Sequence, residues 1–168
     1  AQEMDTIRGS DPTAVVVVYG YHFADASAMA SPATNPRVNS RFMPILLTQT
    51  ASLSSTVTDY LSSVNATVAN AHIVGGPAVV SADVATALAA YGTVTRHSGA
   101  NRYATAQQIA TDFYSADINN VALATGLYFP DVLTGGPMAG AMNMPVLYTN
   151  DSTFPTPTSD YIDTNSTW

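Results

Sequence analysis

The sequence contains no cysteine and no lysine. The first absence excludes disulfide frameworks, thiolate nucleophiles and thiolate metal sites. The second leaves arginine to supply every strong cation, at Arg8, Arg37, Arg41, Arg96 and Arg102. Charge of either sign is scarce: Asp, Glu, Lys and Arg make up 10% of 168 residues, and twelve acids against five arginines give a formal net charge of −7. That balance argues against nucleic-acid binding, which needs a basic surface. Long apolar runs are missing too, none reaching the ~20 residues that cross a bilayer, so no membrane insertion is expected. The start, "AQEMDTIRGSD", lacks the apolar core of a signal peptide, and the chain reads as a mature or excised piece. The surface is left to neutral polar residues. Acceptor-like triplets at Asn65, Asn150 and Asn165 suit an extracellular location.

What is present is apolar and β-branched. Hydrophobic residues reach 46%, enough for one substantial core. The short runs Val15 to Tyr19, Ile45 to Leu47, Ala71 to Val74, Val94 to Arg96, Val121 to Ala124 and Val146 to Tyr148 read as strands, most of them buried on both faces. Between them, helical spacing runs over 25–31, 53–63, 80–90, 103–115, 131–141 and 158–164. Alternation of this kind predicts an α/β fold: a parallel sheet with helices on both faces, joined by right-handed crossovers.

The pattern repeats. "YGYHFADASAMASPA" at 19–33 aligns with "TGLYFPDVLTGGPMA" at 125–139, an offset of 106, and "MPILLT" at 43–48 aligns with "MPVLYT" at 144–149, an offset of 101. The five extra residues of the first copy fall in the polar loop "TNPRVNSRF", where insertion displaces no core contact. About one and a half units are implied: a tail over 1–12, an incomplete first repeat over 13–97 and a truncated second over 98–168, packed as one body.

"RHSGANRYATAQQIA" supplies Arg96, Gly99, Arg102, Tyr103, Thr105, Ala106, Ile109 and Ala110 in order, and is followed by "ATGLYFPDVLTGGPMA" and "MPVLYT" and preceded by "HIVGGPAVVSADVATAL". Together these motifs resemble the cell wall-binding repeat 2 family, over most of residues 14–164. The resemblance implies a non-catalytic α/β anchoring module. Its domains would pack about a three-fold or pseudo-three-fold axis and hold a surface protein or wall enzyme to an anionic wall polymer. This chain departs from the pattern in carrying fewer than three repeats and few basic groups.

Candidate ligand-binding residues are Arg96, Arg102, Tyr103, Asp25, Asp131 and Tyr128. Arg102 and Tyr103 follow "GAN" at a helix start, where unpaired N–H groups and the dipole favour an anion. The alternative is structural: Arg102 bridges Asp25 or Asp131, or its stem and the Tyr103 ring pack along a domain seam. Asp25 and Asp131 each open a helix at a strand's carboxyl end, the edge where α/β sheets bind ligands. Each is equally placed to cap that helix, the role expected for it. Tyr19, Tyr21, Phe23, Tyr128 and Phe129 could stack on sugar rings, although core or seam positions are expected for more of them.

"VGGP" at 74–77 matches neither phosphate-loop spacing, so its glycines are read as a tight turn, and those of "GGP" at 135–137 as close helix contact. His22, His72 and His97 are scattered, with His72 expected as a satisfied, buried strand residue. His22, Asp25 and Ser27 form only a remote triad candidate. No catalytic residue, metal or cofactor is therefore assigned. The leading reading is a non-enzymatic cell-surface module attached to a wall or envelope polysaccharide. Its alternative is a structural subunit of a surface layer or filament, self-associating as a trimer or head-to-tail array. A third is a wall-modifying hydrolase.

Overall fold

The computed structural model describes residues 11–64, 66–114 and 118–165; the expected tail over 1–12, except its last two residues, and the Asn65 triplet's asparagine lie outside them. The elements in chain order are β1 (Ala14–Tyr19), α1 (Phe23–Ala28), α2 (Ala30–Thr34), β2 (Ile45–Thr48), α3 (Ser55–Val64), β3 (Asn70–Val74), α4 (Ala82–Leu88) and β4 (Thr93–His97), then α5 (Arg102–Phe113), β5 (Ala122–Thr125), α6 (Pro130–Ala141), β6 (Val146–Thr149) and α7 (Thr156–Asn165). Every strand pair is parallel, as the strand–helix alternation requires. The strands divide into two sheets, one of four in the order β2-β1-β3-β4 and one of two, β5-β6.

β1 is the centre of the larger sheet. Its valines alternate between two cores because side chains in a strand point to opposite faces in turn. Val16 and Val18 face Ala24, Ala28 and Met29 of the α1–α2 side. Val15 and Val17 face Val57 and Leu61 of α3 and Val84 and Leu88 of α4. Helices therefore cover both faces, and a continuous "AVVVVY" run is what such double burial demands. Three of the described helix starts are capped by side chains: Ser54 accepts from the Val57 N–H, Ser81 from the Val84 N–H and Asn101 from the Ala104 N–H at 3.0 Å, each satisfying an orphan donor.

The internal repeat is visible in strand register. Val16 pairs with Ile45 in the first sheet and Ala122 with Val146 in the second, positions related by the offsets read from the sequence. The backbone bonds agree: Val16 N–H to Pro44 O and Ala122 N–H to Pro145 O are both 2.9 Å. Gly20 N–H to Thr48 O (2.9 Å) and Gly126 N–H to Thr149 O (2.8 Å) form the same kind of pair at the other strand end.

The two sheets share a core. Ala106 and Ile109 of α5, Val132 and Ala139 of α6, and Val146 and Tyr148 of β6 join Val16, Val18 and Met29 in one cluster. Close helix contact completes the seam, as the glycines of "GGP" suggested for one of the pair. A Cβ at Gly136 would stand 2.7 Å from that of Ala30, and one at Gly140 would run into the Ser31 carbonyl and Thr34 hydroxyl. Gly135, by contrast, faces open space.

Candidate functional site

Polar groups tie the seam together. The Tyr148 hydroxyl donates to Ala24 O and lies 2.7 Å from Ser27 Oγ, which in turn reaches Phe23 O at 2.8 Å. Burial pushes the Tyr148 phenol far above its ordinary range, the Ser27 bond only partly opposing this. A second pair repeats the device: Tyr114 bonds to Ser31, whose hydroxyl donates to Met144 O at 2.6 Å. Asn35 Nδ2 donates to Asn143 Oδ1 at 2.9 Å. These bonds engage Ser27 fully, and none of them comes from His22, whose ring lies instead beside Tyr19. The His22, Asp25 and Ser27 candidate is thereby dismissed as a triad, which requires a base bonded to its nucleophile.

At one end of the seam, residues that follow the carboxyl ends of β1 and β5 meet in a rim. Arg102, the first residue of α5, donates to Gly126 O in the turn after β5. Its guanidinium carbon sits 5.7 Å from the centroid of the Phe23 ring, a cation–π arrangement. Phe23 meets its repeat counterpart Phe129 edge to face at 6.2 Å. Tyr103 is half-buried beside them, against the core and beneath Gly126. Farther along, Arg96 donates to Gly75 O at 2.7 Å and to Ser81 O at 3.4 Å.

Asp25 lies between these arginines. Its carboxyl is half-buried and accepts no hydrogen bond from any described residue. Desolvation raises its pKa, against the attraction of Arg102 and His22. Gly75 has φ of 106°, which glycine adopts without strain, and a Cβ there would lie 2.8 Å from Asp25 Oδ2. Glycine at 75 thus serves the tight turn expected of it and also admits the carboxylate.

Capping by the two aspartates is overturned. The helix starts after β1 and β5 have His22 and Phe129 at their cap positions, with no side-chain cap bond at either. Asp25 and Asp131 fall inside the first turn instead, where the dipole favours their charge. Asp131 is exposed. The expectation of core or seam positions for the aromatics fits Tyr19 and Phe23, but Tyr21, Tyr128 and Phe129 are exposed, Tyr128 by 65%. Tyr21 touches Tyr19 and Phe129 touches Phe23, so each of these two rings is held by a neighbouring ring while its remaining surface stays open.

One cluster escaped the sequence reading. His72 Nδ1 and His97 Nε2 are 3.0 Å apart, and His97 Nδ1 is 2.6 Å from Asp112 Oδ2, whose other oxygen accepts from Gln108 at 2.7 Å. The Phe113 ring flanks both imidazoles. His72 is satisfied, as expected, but the partner set spans three elements and no sequence spacing could reveal it. Among the described residues no group of three or more metal-ligating side chains is placed to hold a metal.

Two parallel strand–helix units in tandem, fused along one core and meeting in a shared rim, define a tandem-repeat α/β protein. The chain belongs to the cell wall binding domain 2 family, whose description matches residues 1–85 and 96–167. It is 32% identical over 145 residues to the amidase enhancer of Bacillus subtilis (strain 168), covering 86% of this chain and 19% of that protein. Among solved structures it is similar to Cwp6 from Clostridium difficile, with a TM-score of 0.81 and 23% identity over 98% of this chain and 25% of the other. Cwp8 from the same organism gives 0.72 and 21% over 95% of this chain and 27% of its own length. These two likenesses concern the fold. The chain spans about a fifth to a quarter of the proteins it matches. Family membership associates it with the cell wall as a binding module, and no described helix is long and apolar enough to cross a membrane.

Proposed function

We propose that this module attaches a surface protein to an anionic wall or envelope polysaccharide through the rim at the seam, outside the cell and without catalysis. The observation that carries this reading is the convergence of Arg102, Phe23 and Phe129 from two repeats at the carboxyl ends of their strands, the edge at which open α/β folds bind ligands. Arg102 commits one N–H to Gly126 O, and a guanidinium has five. The remaining donors suit a phosphate or carboxylate, while the exposed Tyr128 offers a face for a sugar ring. Arg96 and Asp25 support the rim from beneath by way of Gly75, and Tyr103 holds the helix start. Asp131 stands at the outer edge, where its charge disfavours a ligand of uniform negative charge and so selects for spacing.

Binding of the purified chain to wall glycans across a salt series tests the proposal. Affinity should fall as salt rises, because screening weakens exposed ion pairs. Tyr128→Ala and Arg102→Gln should each weaken it, with Tyr128→Ala leaving the unfolding midpoint unchanged. Binding that ignores both substitutions would remove the rim from consideration.

A second reading, a structural subunit of a surface layer or filament that self-associates as a trimer or array, is favoured by one comparison. Ser27 is 2% exposed at the seam, whereas its counterpart Leu133 is 54% exposed, and Met138, counterpart of the buried Pro32, is 60% exposed. The second unit thus presents an apolar version of the surface that the first unit buries. Likewise β1 is flanked by β2 and β3, while among the described residues β5 pairs with β6 alone.

A further inference from the structure

The two repeats are joined by apolar packing, by neutral hydroxyl and amide bonds, by Arg102 at the rim and by a titratable chain, Asp112–His97–His72. We infer that this chain is a proton-operated clasp that fastens α5, the opening helix of the second unit, to the β3–β4 edge of the first, and that acid releases it. Asp112 comes from α5, His97 from the end of β4 and His72 from β3.

The reasoning rests on donors and acceptors. Asp112, as a carboxylate, only accepts, so His97 Nδ1 must carry a proton. With both rings neutral, His97 Nε2 then accepts from the Nδ1–H of His72. One added proton is tolerated: His97 becomes an imidazolium paired with Asp112, and its Nε2–H donates back to His72, whose Nδ1 is now bare. A second added proton has no place. It would set N–H against N–H across 3.0 Å, abolishing the bond and bringing two positive rings together.

The surroundings supply no relief. The groups facing the pair are Asp112, Gln108 and Phe113 from α5, and the register partner of His72 on β1 is the apolar Val16. Among the described residues only Asp112 carries opposing charge there, and it is already bonded to His97 at one oxygen and to Gln108 at the other. Burial first, then the neighbouring His97, holds His72 down at about 4, with Asp112 pulling the other way. An imidazole released to water titrates near 6.5, so opening the clasp takes up a proton between those values.

Hydrogen exchange of the intact chain from pH 7 to pH 4 tests the clasp. After correction for intrinsic rates, the opening equilibrium of the α5 amides should rise as pH falls below about 6, on the order of tenfold in total for one linked proton on a partly exposed ring. Core amides of β1 should stay better protected than those of α5 at every pH. His72→Gln keeps a hydrogen-bonding side chain that does not titrate, and it should flatten the α5 response. Protection of α5 that is equal at pH 7 and pH 4.5, or an unchanged response in His72→Gln, would overturn the inference. If that variant does not fold, side-chain nitrogen spectra of the unaltered chain decide. His72 should stay neutral below pH 5 while α5 is closed, and titration near 6.5 with α5 still protected would be fatal.

Discussion

Tyr148 concentrates the logic of the seam in one side chain. Its ring fills the shared core and its hydroxyl is fully enclosed, so every bond it makes replaces a bond to water. Tyr148→Phe should cost about 1–2 kcal/mol in chemical unfolding, because the buried bonds of the hydroxyl to Ala24 O and Ser27 are lost with no water to replace them. In a cycle with Ser27→Ala the two losses should be markedly non-additive, since the hydroxyls touch. His72 makes a different prediction. Its folded pKa of about 4 lies below the ordinary 6.5, so the unfolded chain binds the extra proton first. Stability should be level above about pH 7, decline as pH falls through 6.5 toward 4, and flatten below that. The total is about 1–2 kcal/mol once screening of the partly exposed ring is allowed for. Urea midpoints measured across that range check it. At this scale the sequence was informative where a motif named the residue: "GANRY" marked Arg102 and Tyr103 as residues at a helix start near a ligand edge or a seam. It was silent on Asp112, because the contact with His97 is made across a loop and a helix turn and leaves no local periodicity.

Among elements, α6 carries the sharpest contrast. Three of its glycines differ only in what stands opposite them. Gly140→Ala would force Cβ into the Ser31 carbonyl and should lower the melting midpoint, at a cost of about 1–3 kcal/mol as for other overpacked contacts. Gly135→Ala, with open space before it, should raise stability by roughly 0.5–1 kcal/mol by restricting the unfolded chain and favouring helix. Paired thermal melts read both signs at once. Element type and position were legible throughout, because valine runs and helical spacing fix them locally. The division of the strands into two sheets was not. Pairing depends on which edges meet, and the edges of β4 and β5 have no side-chain pattern that announces whether they pair.

For the whole molecule, the unequal surfaces of the two units set the expected behaviour. If the exposed Leu133 and Met138 mediate self-association, the purified chain should sediment above its monomer mass without added ligand, and Leu133→Glu with Met138→Glu should return it to monomer. A chain that stays monomeric at high concentration would leave wall attachment as its sole task. The repeat itself could be read from the sequence because duplicated motifs persist where backbone approach is tight, as at Gly20 and Gly126. The seam was legible only in part: "GGP" suggested close helix contact, but the Ser27–Tyr148 bond joins positions at which the copies have diverged.

That divergence gives the molecule a direction. The bond joining Ser27 to Tyr148 links a position of one copy to an unlike position of the other, for their counterparts are Leu133 and Leu47. Contacts of this sort have a front and a back. A row of such units would grow from one tip differently than from the other, and a short fragment bearing only the trailing face could stop it.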